Sequence, residues 1–463
     1  MKRGINVRIS LFACLGLILV GSANLFAQAV APPPGFVPGS SDEYVPSAPP
    51  EPGIVSGQEE YSKPFGYSSS PITSGGSPIV SRGTGSFPYG LRPPEPPVLF
   101  SDDGPPLPKL WFKAEALYWW SKGSPLPVPI VTLGSAADTT PGALGQPGTS
   151  VLLGNQTLGP PGRGGGRFTF GFSFGADQTW GAELAYFYLA NTTMLQGVTS
   201  DGSANSAILA FPFYDPTIPG ENSSPIAQPG TFAGTAVVSV QSFLQGTELN
   251  LLHNLQTSNG LRFDVLGGFR YVNLQENLNF ATDSPNVAPN PPAFFRTFDQ
   301  FNAGNNFYGG QLGFRASYDV NRFFMNATSK LAVGGTFETV SVNGGTFTNY
   351  QGGFESAPGA YLSQPTNMGT QSRGQFAFVP ELDLNFGVRL RPWASIIVGY
   401  SFLYVSSVAR PGNQIDRVIN STQSSAISGN FPASLSGLAR PDLSIQSTSF
   451  WAQGLNFGLE FRF

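Results

Sequence analysis

One cysteine, one histidine and very little charge set the first limits on this 463-residue chain. The cysteine, Cys14, falls inside an N-terminal apolar run, so the chain beyond that run has neither a disulfide framework nor a thiolate metal site. His253 is the one histidine. It cannot build a zinc or iron cluster, and no Ser-His-Asp set can be supported around it, so no catalytic or metal residue and no cofactor is expected. Charged residues make up 11% of the chain, against about 25% in ordinary soluble domains. With a formal net charge of -4 and a pI near 5.2, no basic surplus is available to neutralise a phosphate backbone, which disfavours nucleic acid, and none is expected as a partner. Long apolar runs are missing as well. The run from Ile9 to Val20 is shorter than the roughly 20 residues a spanning helix needs, and none downstream is longer, so helical spanning is excluded.

What the chain does have is 57 Gly, 42 Pro and 13% aromatic residues, a mix that favours a loop-rich β protein. Lys2, Arg3 and Arg8 precede the apolar run, and Ala27-Gln28-Ala29 follows it; together they read as a cleaved secretory signal peptide over 1–29. Residues 30–109 are dense in Pro, Gly and Ser, as in Pro93-Pro94-Glu95-Pro96-Pro97. Such a segment cannot bury enough apolar area to offset its ordering entropy and is expected to be a disordered, polyproline-rich arm. A spacer is the plainer reading of it; a tether to cell wall or a periplasmic partner is the alternative.

From residue 110 the pattern changes to period-two alternation. Phe112, Ala114, Ala116, Tyr118 and Trp120 share one face, with Lys113 and Glu115 on the other; Phe168, Phe170, Phe172 and Phe174 alternate with Arg167, Thr169, Gly171 and Ser173. Eight further runs behave alike, the last placing Leu455, Phe457, Leu459, Phe461 and Phe463 against Asn456, Gly458, Glu460 and Arg462. Connections alternate between short (175–179, 256–260, 319–322, 391–392) and long (122–165, 190–234, 276–304, 341–374, 405–449). Short turns at one end and long loops at the other are the asymmetry of outer-membrane barrels. The expected fold is therefore all-β, a transmembrane antiparallel up-and-down barrel over 110–463 with about ten strands, or twelve if the 190–234 segment hides a hairpin through Ala207 to Phe213.

In hydrocarbon only the apolar face can look outward, so the charged face must line the interior. Those candidate lumen residues are Lys113, Glu115, Arg167, Glu183, Glu248, Arg262, Asp264, Arg270, Arg315, Lys330, Glu338, Glu381, Asp383 and Arg389. Charges of both signs could sort solutes by field or pair with one another and fill the barrel. Glu381 and Asp383 share a face at a spacing open to acid and base work, though a wet lumen wall contains the same pairs. In the last long loop Arg410, Asp416 and Arg417 could fold inward as a constriction, face outward as a contact surface, or clamp the loop.

Two segments, Ser406 to Arg417 (SSVARPGNQIDR) and Ser449 to Phe463 (SFWAQGLNFGLEFRF), resemble the putative beta-barrel porin-7 family, supported by Leu117-Tyr118-Trp119-Trp120, Phe307 to Gly313, and Leu390-Arg391-Pro392-Trp393. The likeness covers about 110–463 and implies an outer-membrane barrel; it supplies no catalytic residues. The expected function is a porin-like passive channel with a charged lumen, and the alternative is a non-conducting structural or surface-interaction barrel. Neither involves enzymatic chemistry. Outer-membrane lipid and the barrel assembly machinery are the expected partners, the latter reading the terminal aromatic strand, so that loss of Phe463 should impair assembly first.

Overall fold

The computed structural model describes residues 109–463 apart from 160, 176–177, 288–292 and 350–352. The expected signal peptide at 1–29 and the Pro-rich arm as far as residue 108 lie outside the described residues. In chain order, β1 (Leu110–Ser121) leads into a long connection that holds β2 (Ser124–Gly134) and β3 (Ser150–Leu158). β4 (Arg163–Phe174) and β5 (Trp180–Ser200) follow, and the next long connection holds β6 (Ile208–Asp215) and β7 (Gly220–Ala227). Then come β8 (Gly234–Ser258), β9 (Leu261–Pro285), β10 (Phe294–Val320) and β11 (Phe323–Thr348), the short β12 (Glu355–Pro358), and β13 (Gly369–Arg391), β14 (Ala394–Ala409) and β15 (Ser447–Arg462).

The main sheet runs β10-β9-β8-β5-β4-β1-β15-β14-β13-β11-β12, and β10 also pairs with β11. β12 takes over the ladder of β11 at Gly345–Thr348, beyond the stretch Phe323–Val342 that pairs with β13. The other ten strands of the 11-stranded sheet therefore close an antiparallel ring. Its seam joins β1 to β15, with Trp111 opposite Arg462 and Ser121 opposite Ala452. Leu110 and Phe463 extend the seam by exchanging backbone hydrogen bonds of 3.0 and 2.8 Å. Short turns gather at the same end of the ring. One of them is Asn259-Gly260, whose φ angles of 50° and 80° are those of a two-residue mirror-image hairpin turn.

The strands are longer than a bilayer requires. β8 to β11 have 25 to 27 residues, whereas about 9–11 suffice to span hydrocarbon. Their side chains explain the surplus. Near the short turns, β9 exposes Phe263 and Phe269 and buries Asp264 and Arg270. Beyond residue 271 the chemistry of the faces is exchanged: Gln275, Asn277, Asn279 and Asp283 look outward, and Val272, Leu274, Leu278 and Phe280 are buried inside. β10 does the same, with Tyr308, Leu312, Phe314 and Tyr318 exposed, then Gln300, Asn302 and Asn306 on that face while Phe301 and Ala303 turn in. The first zone suits lipid outside and water inside, and the second suits water outside and a packed core inside.

Aromatic rings mark the boundaries of the first zone. Tyr271 and Tyr308 lie 5.1 Å apart and Tyr308 and Phe337 5.9 Å apart, and the Tyr271 hydroxyl donates to Asn306 at 2.8 Å on the polar side. At the short-turn boundary sit Trp180, Tyr318, Phe323 and Trp393, all exposed.

The expected loops 276–304 and 341–374 are thus largely strand, and the 276–304 connection contracts to residues 286–293. The reason is the exchange of faces: in the water zone the outward face is Asn, Gln and Thr, which reads as loop. The 190–234 segment does hold a hairpin, β6 with β7. It leaves the barrel's strand count unchanged, because it joins a separate four-stranded sheet ordered β3-β2-β6-β7. That sheet and the water zone share one core, in which Leu126, Ile130, Phe211 and Phe213 cluster with Phe280, Phe301, Val340 and Tyr361. Together they form a head at the long-loop end. Asp299 of β10 clamps the 361–363 loop into it: its Oδ1 accepts from the Leu362 and Ser363 amides at 2.9 and 2.6 Å and from the Ser363 hydroxyl at 2.6 Å.

The exchange of faces predicts opposite tolerances along one strand. Leu312→Arg, on the lipid zone of β10, should cost about 2–4 kcal/mol, whereas Asn302→Arg, on the same face in the water zone, should stay within about 0.5 kcal/mol. Equal losses in a refolding titration would place the boundary elsewhere. Burial pushes the Asp299 carboxyl up to about 6, against the pull of its donors. The fold therefore favours the protonated form: this contribution is complete below the unfolded value of about 4 and is lost as pH rises through about 6. Relative to Asp299→Asn, the wild type should lose about 2–3 kcal/mol over that window, read from unfolding midpoints at stepped pH; a constant difference would contradict it.

Candidate functional site: the charged lumen and its roof

In the lipid zone the inward positions of neighbouring strands bring opposite charges into register. Glu115 sits opposite Arg167, Glu248 opposite Arg270, and Glu381 opposite Lys330. Each guanidinium or ammonium then reaches further. Arg167 holds Glu115 through Nε and Nη2 at 2.8 and 2.9 Å and bonds Asp383 through Nη1 at 2.8 Å. β4 and β13 are four places apart in the ring, so this second bond crosses the lumen. Arg270 bonds Glu248 at 2.9 Å and also Glu381; Lys330 lies 2.8 Å from Glu248, 2.7 Å from Glu381 and 3.5 Å from Asp383. Gln311 donates to Glu248 at 2.8 Å, and Ser401 donates to Asp383. Three cations and four carboxylates are tied into one buried knot.

Above the knot, toward the long loops, the inward face becomes apolar. Leu117 and Trp119 of β1, Phe187 and Leu189 of β5, Leu244 of β8, Val272 and Leu274 of β9, Phe307 of β10, Val379 of β13, Leu403 of β14 and Phe450 of β15 form one buried layer. Trp119 hangs from this roof toward the polar residues below, donating its indole N–H to Asn456 at 2.8 Å, and Asn456 donates to Ser401 at 2.7 Å. Gly246 makes room for Phe187: a Cβ there would stand 2.4 Å from the ring. Below the knot lies a vestibule of about 320 Å³ at the short-turn end. Its walls carry Lys113, Arg262, Asp264, Arg315, Arg389 and Arg462 among others. Here Arg315 grips Glu183 with bonds of 2.9 and 2.7 Å, Arg262 holds Asp264 at 2.8 Å, and Arg389 pairs with Asp319.

Thirteen of the fourteen candidate lumen residues thus fall in the knot or the vestibule. Glu338 does not: it is buried six residues beyond Ala332 of the roof, bonded to Arg373 at 2.9 Å and to Ser447 at 2.6 Å. The loop residues are tied down individually. Arg410 is fully buried and paired with Glu276, Asp416 meets Arg440 at 3.0 Å, and Arg417 meets Glu221 of β7. His253 stacks on Trp180 at 4.2 Å in the short-turn aromatic belt. Among the described residues no group of three or more His, Cys, Asp or Glu could hold a metal ion.

Residues 111–463 match the family model described as "Putative beta barrel porin-7". Solved structures with a similar trace include the outer membrane protease OmpT from Escherichia coli, at 9% identity with 76% of this chain and 96% of that chain covered and a TM-score of 0.36. A FadL homologue from Pseudomonas aeruginosa has 9% identity, 77% and 90% coverage and a TM-score of 0.21. The toluene transporter TodX from P. putida has 9% identity, 77% and 90% coverage and a TM-score of 0.18. No curated protein sequence is significantly similar to the chain.

Removing Arg167 would strand Glu115 in the knot and leave Asp383 only the Ser401 hydroxyl and the 3.5 Å contact with Lys330. Arg167→Met should therefore lower stability by about 3–5 kcal/mol, seen as a lower temperature at which the folded band is lost on a gel. A change below about 1 kcal/mol would mean that water already screens the pair.

Proposed function

The chain belongs to the putative beta barrel porin-7 family, and on that premise we propose that it is an outer-membrane barrel shut to diffusion, whose working surface is the head rather than the lumen. The observation that carries this reading is the 2.8 Å bond between Arg167 and Asp383, made across the lumen beneath the Trp119 layer. Barrels of about eight strands are filled by their own side chains, and open aqueous channels belong to about sixteen. With ten strands around the ring, side chains from opposing walls meet. In this reading the long connections and the head face the outside of the cell, and the short turns with Leu110 and Phe463 face the periplasm. Lipid surrounds the aromatic belts. The head offers a rigid, polar surface for a partner outside the cell, and no covalent step is involved.

A second reading, the passive channel, draws support from the vestibule, whose volume of about 320 Å³ would hold a small solute and whose walls carry both charge signs. It requires the roof and the knot to move aside together.

Purified protein in planar bilayers should give no unitary conductance steps, and Trp119→Ala combined with Arg167→Ala should begin to leak by thinning both layers. Regular steps from the wild type at ordinary voltages would defeat the closed reading and favour the channel.

A further inference from the structure

Between the roof and the core of the head lies a second set of buried charges that the knot does not use. Arg163, at the start of β4, is buried to 4% exposure, and its Nη1 donates to the carbonyl and hydroxyl of Ser242 at 2.9 and 3.4 Å. Its Nε and Nη2 are buried with no hydrogen-bond partner. Arg410 is fully buried, with Nε and Nη2 engaged on the two oxygens of Glu276, and its Nη1 is likewise without a partner. Lys122 lies close enough to Arg410 for its carbonyl to accept from Nη2 at 3.3 Å, and its ammonium donates to the Ser449 carbonyl and hydroxyl at 2.7 and 3.0 Å.

Glu276 is the carboxylate whose charge acts most on Arg163, and Arg410 places a second positive charge near it. Among the described residues no carboxylate is within ion-pair distance of Arg163 or Lys122. Three cations therefore share one anion, with Arg163 and Arg410 buried from water and Lys122 half-buried at the edge of the cluster. A buried unpaired guanidinium is among the costliest arrangements a fold can hold. The free atoms are also informative. Nε and Nη2 form the side edge of guanidinium, the fork that takes two oxygens of one anion at once.

We propose that Arg163, Arg410 and Lys122 form a buried site for a small tetrahedral oxyanion, phosphate or sulfate, seated on the free edge of Arg163. Arg410 Nη1 and the remaining Lys122 proton complete its donors, and a dianion balances the excess charge. The side edge of Arg163 matches two oxygens of one compact anion, and the excess charge calls for a dianion, so the site takes an inorganic ion. Bound there, it would pin β4 to the Arg410 loop and stiffen the head.

The test uses the full-length protein in detergent, with sodium sulfate or sodium phosphate titrated at constant ionic strength against sodium gluconate. The unfolding midpoint should rise by several degrees and saturate. Arg163→Met should abolish the saturable rise while being at least as stable as the wild type without oxyanion, because it no longer buries a stranded charge. A rise that is linear and equal in both proteins, or no rise in the wild type, overturns the site. Should Arg163→Met fail to fold, Lys122→Gln gives the same reading through a sulfate half-saturation raised about fivefold, and an unchanged half-saturation argues against it. Crystals grown with selenate should show anomalous density at the Arg163 edge; ordered water alone at that position overturns the proposal.

Discussion

A strand that leaves hydrocarbon and enters water keeps its backbone ladder, because the hydrogen bonds are the same in both media, but its side chains must change sides. The long strands of this barrel meet that demand at the level of Tyr271 and Tyr308, and most of the structure follows. Below that level charge can only go inward, and at the level of the knot the carboxylates and cations are buried away from the vestibule's water and bond one another. Above it the interior is the apolar side, and a core can form against inserted loops. The knot, the roof and the head are three consequences of one exchange of faces.

The circumference adds the second constraint. Because the ring has ten strands, a guanidinium on β4 reaches a carboxylate on β13. In a wider ring the same residues would line a wall and leave a path between them. The family's name speaks of porins, yet the interior of this member is occupied at two successive levels by different physical means, ion pairing and close apolar packing. An opening that relieved only one of them would still be blocked by the other.

Sequence patterning revealed the lipid zone well, since alternating Phe and charge over 168–174 or 451–463 has few other meanings. The water zone is less legible: Asn, Gln and Thr outside with Leu and Val inside is the pattern of a modest soluble strand, and segments such as 276–285 read as loop. The roof left a trace that could have been followed, because Leu117 and Trp119 continue the parity of Lys113 and Glu115. Arg163, Lys122 and Glu276 left none. Their meeting depends on loops folding back into the barrel mouth, with Arg410 lying 134 positions from Glu276. The Arg167–Asp383 contact likewise spans 216 positions and exists only once the ring closes in register.

The length of β10 has a consequence for reach. From Tyr308 at the belt to Phe294 at its far end is a run of about 46 Å along the strand at roughly 3.3 Å per residue. With a tilt of about 40° that becomes a height of ~35 Å above the hydrocarbon edge, well past the depth of lipid head groups. The head is thus held on a pedestal. A large molecule approaching from that side meets the second sheet and the Arg410 loop well before it can touch lipid, and a rigid β pedestal transmits any pull on those loops straight into the ion-paired floor of the barrel.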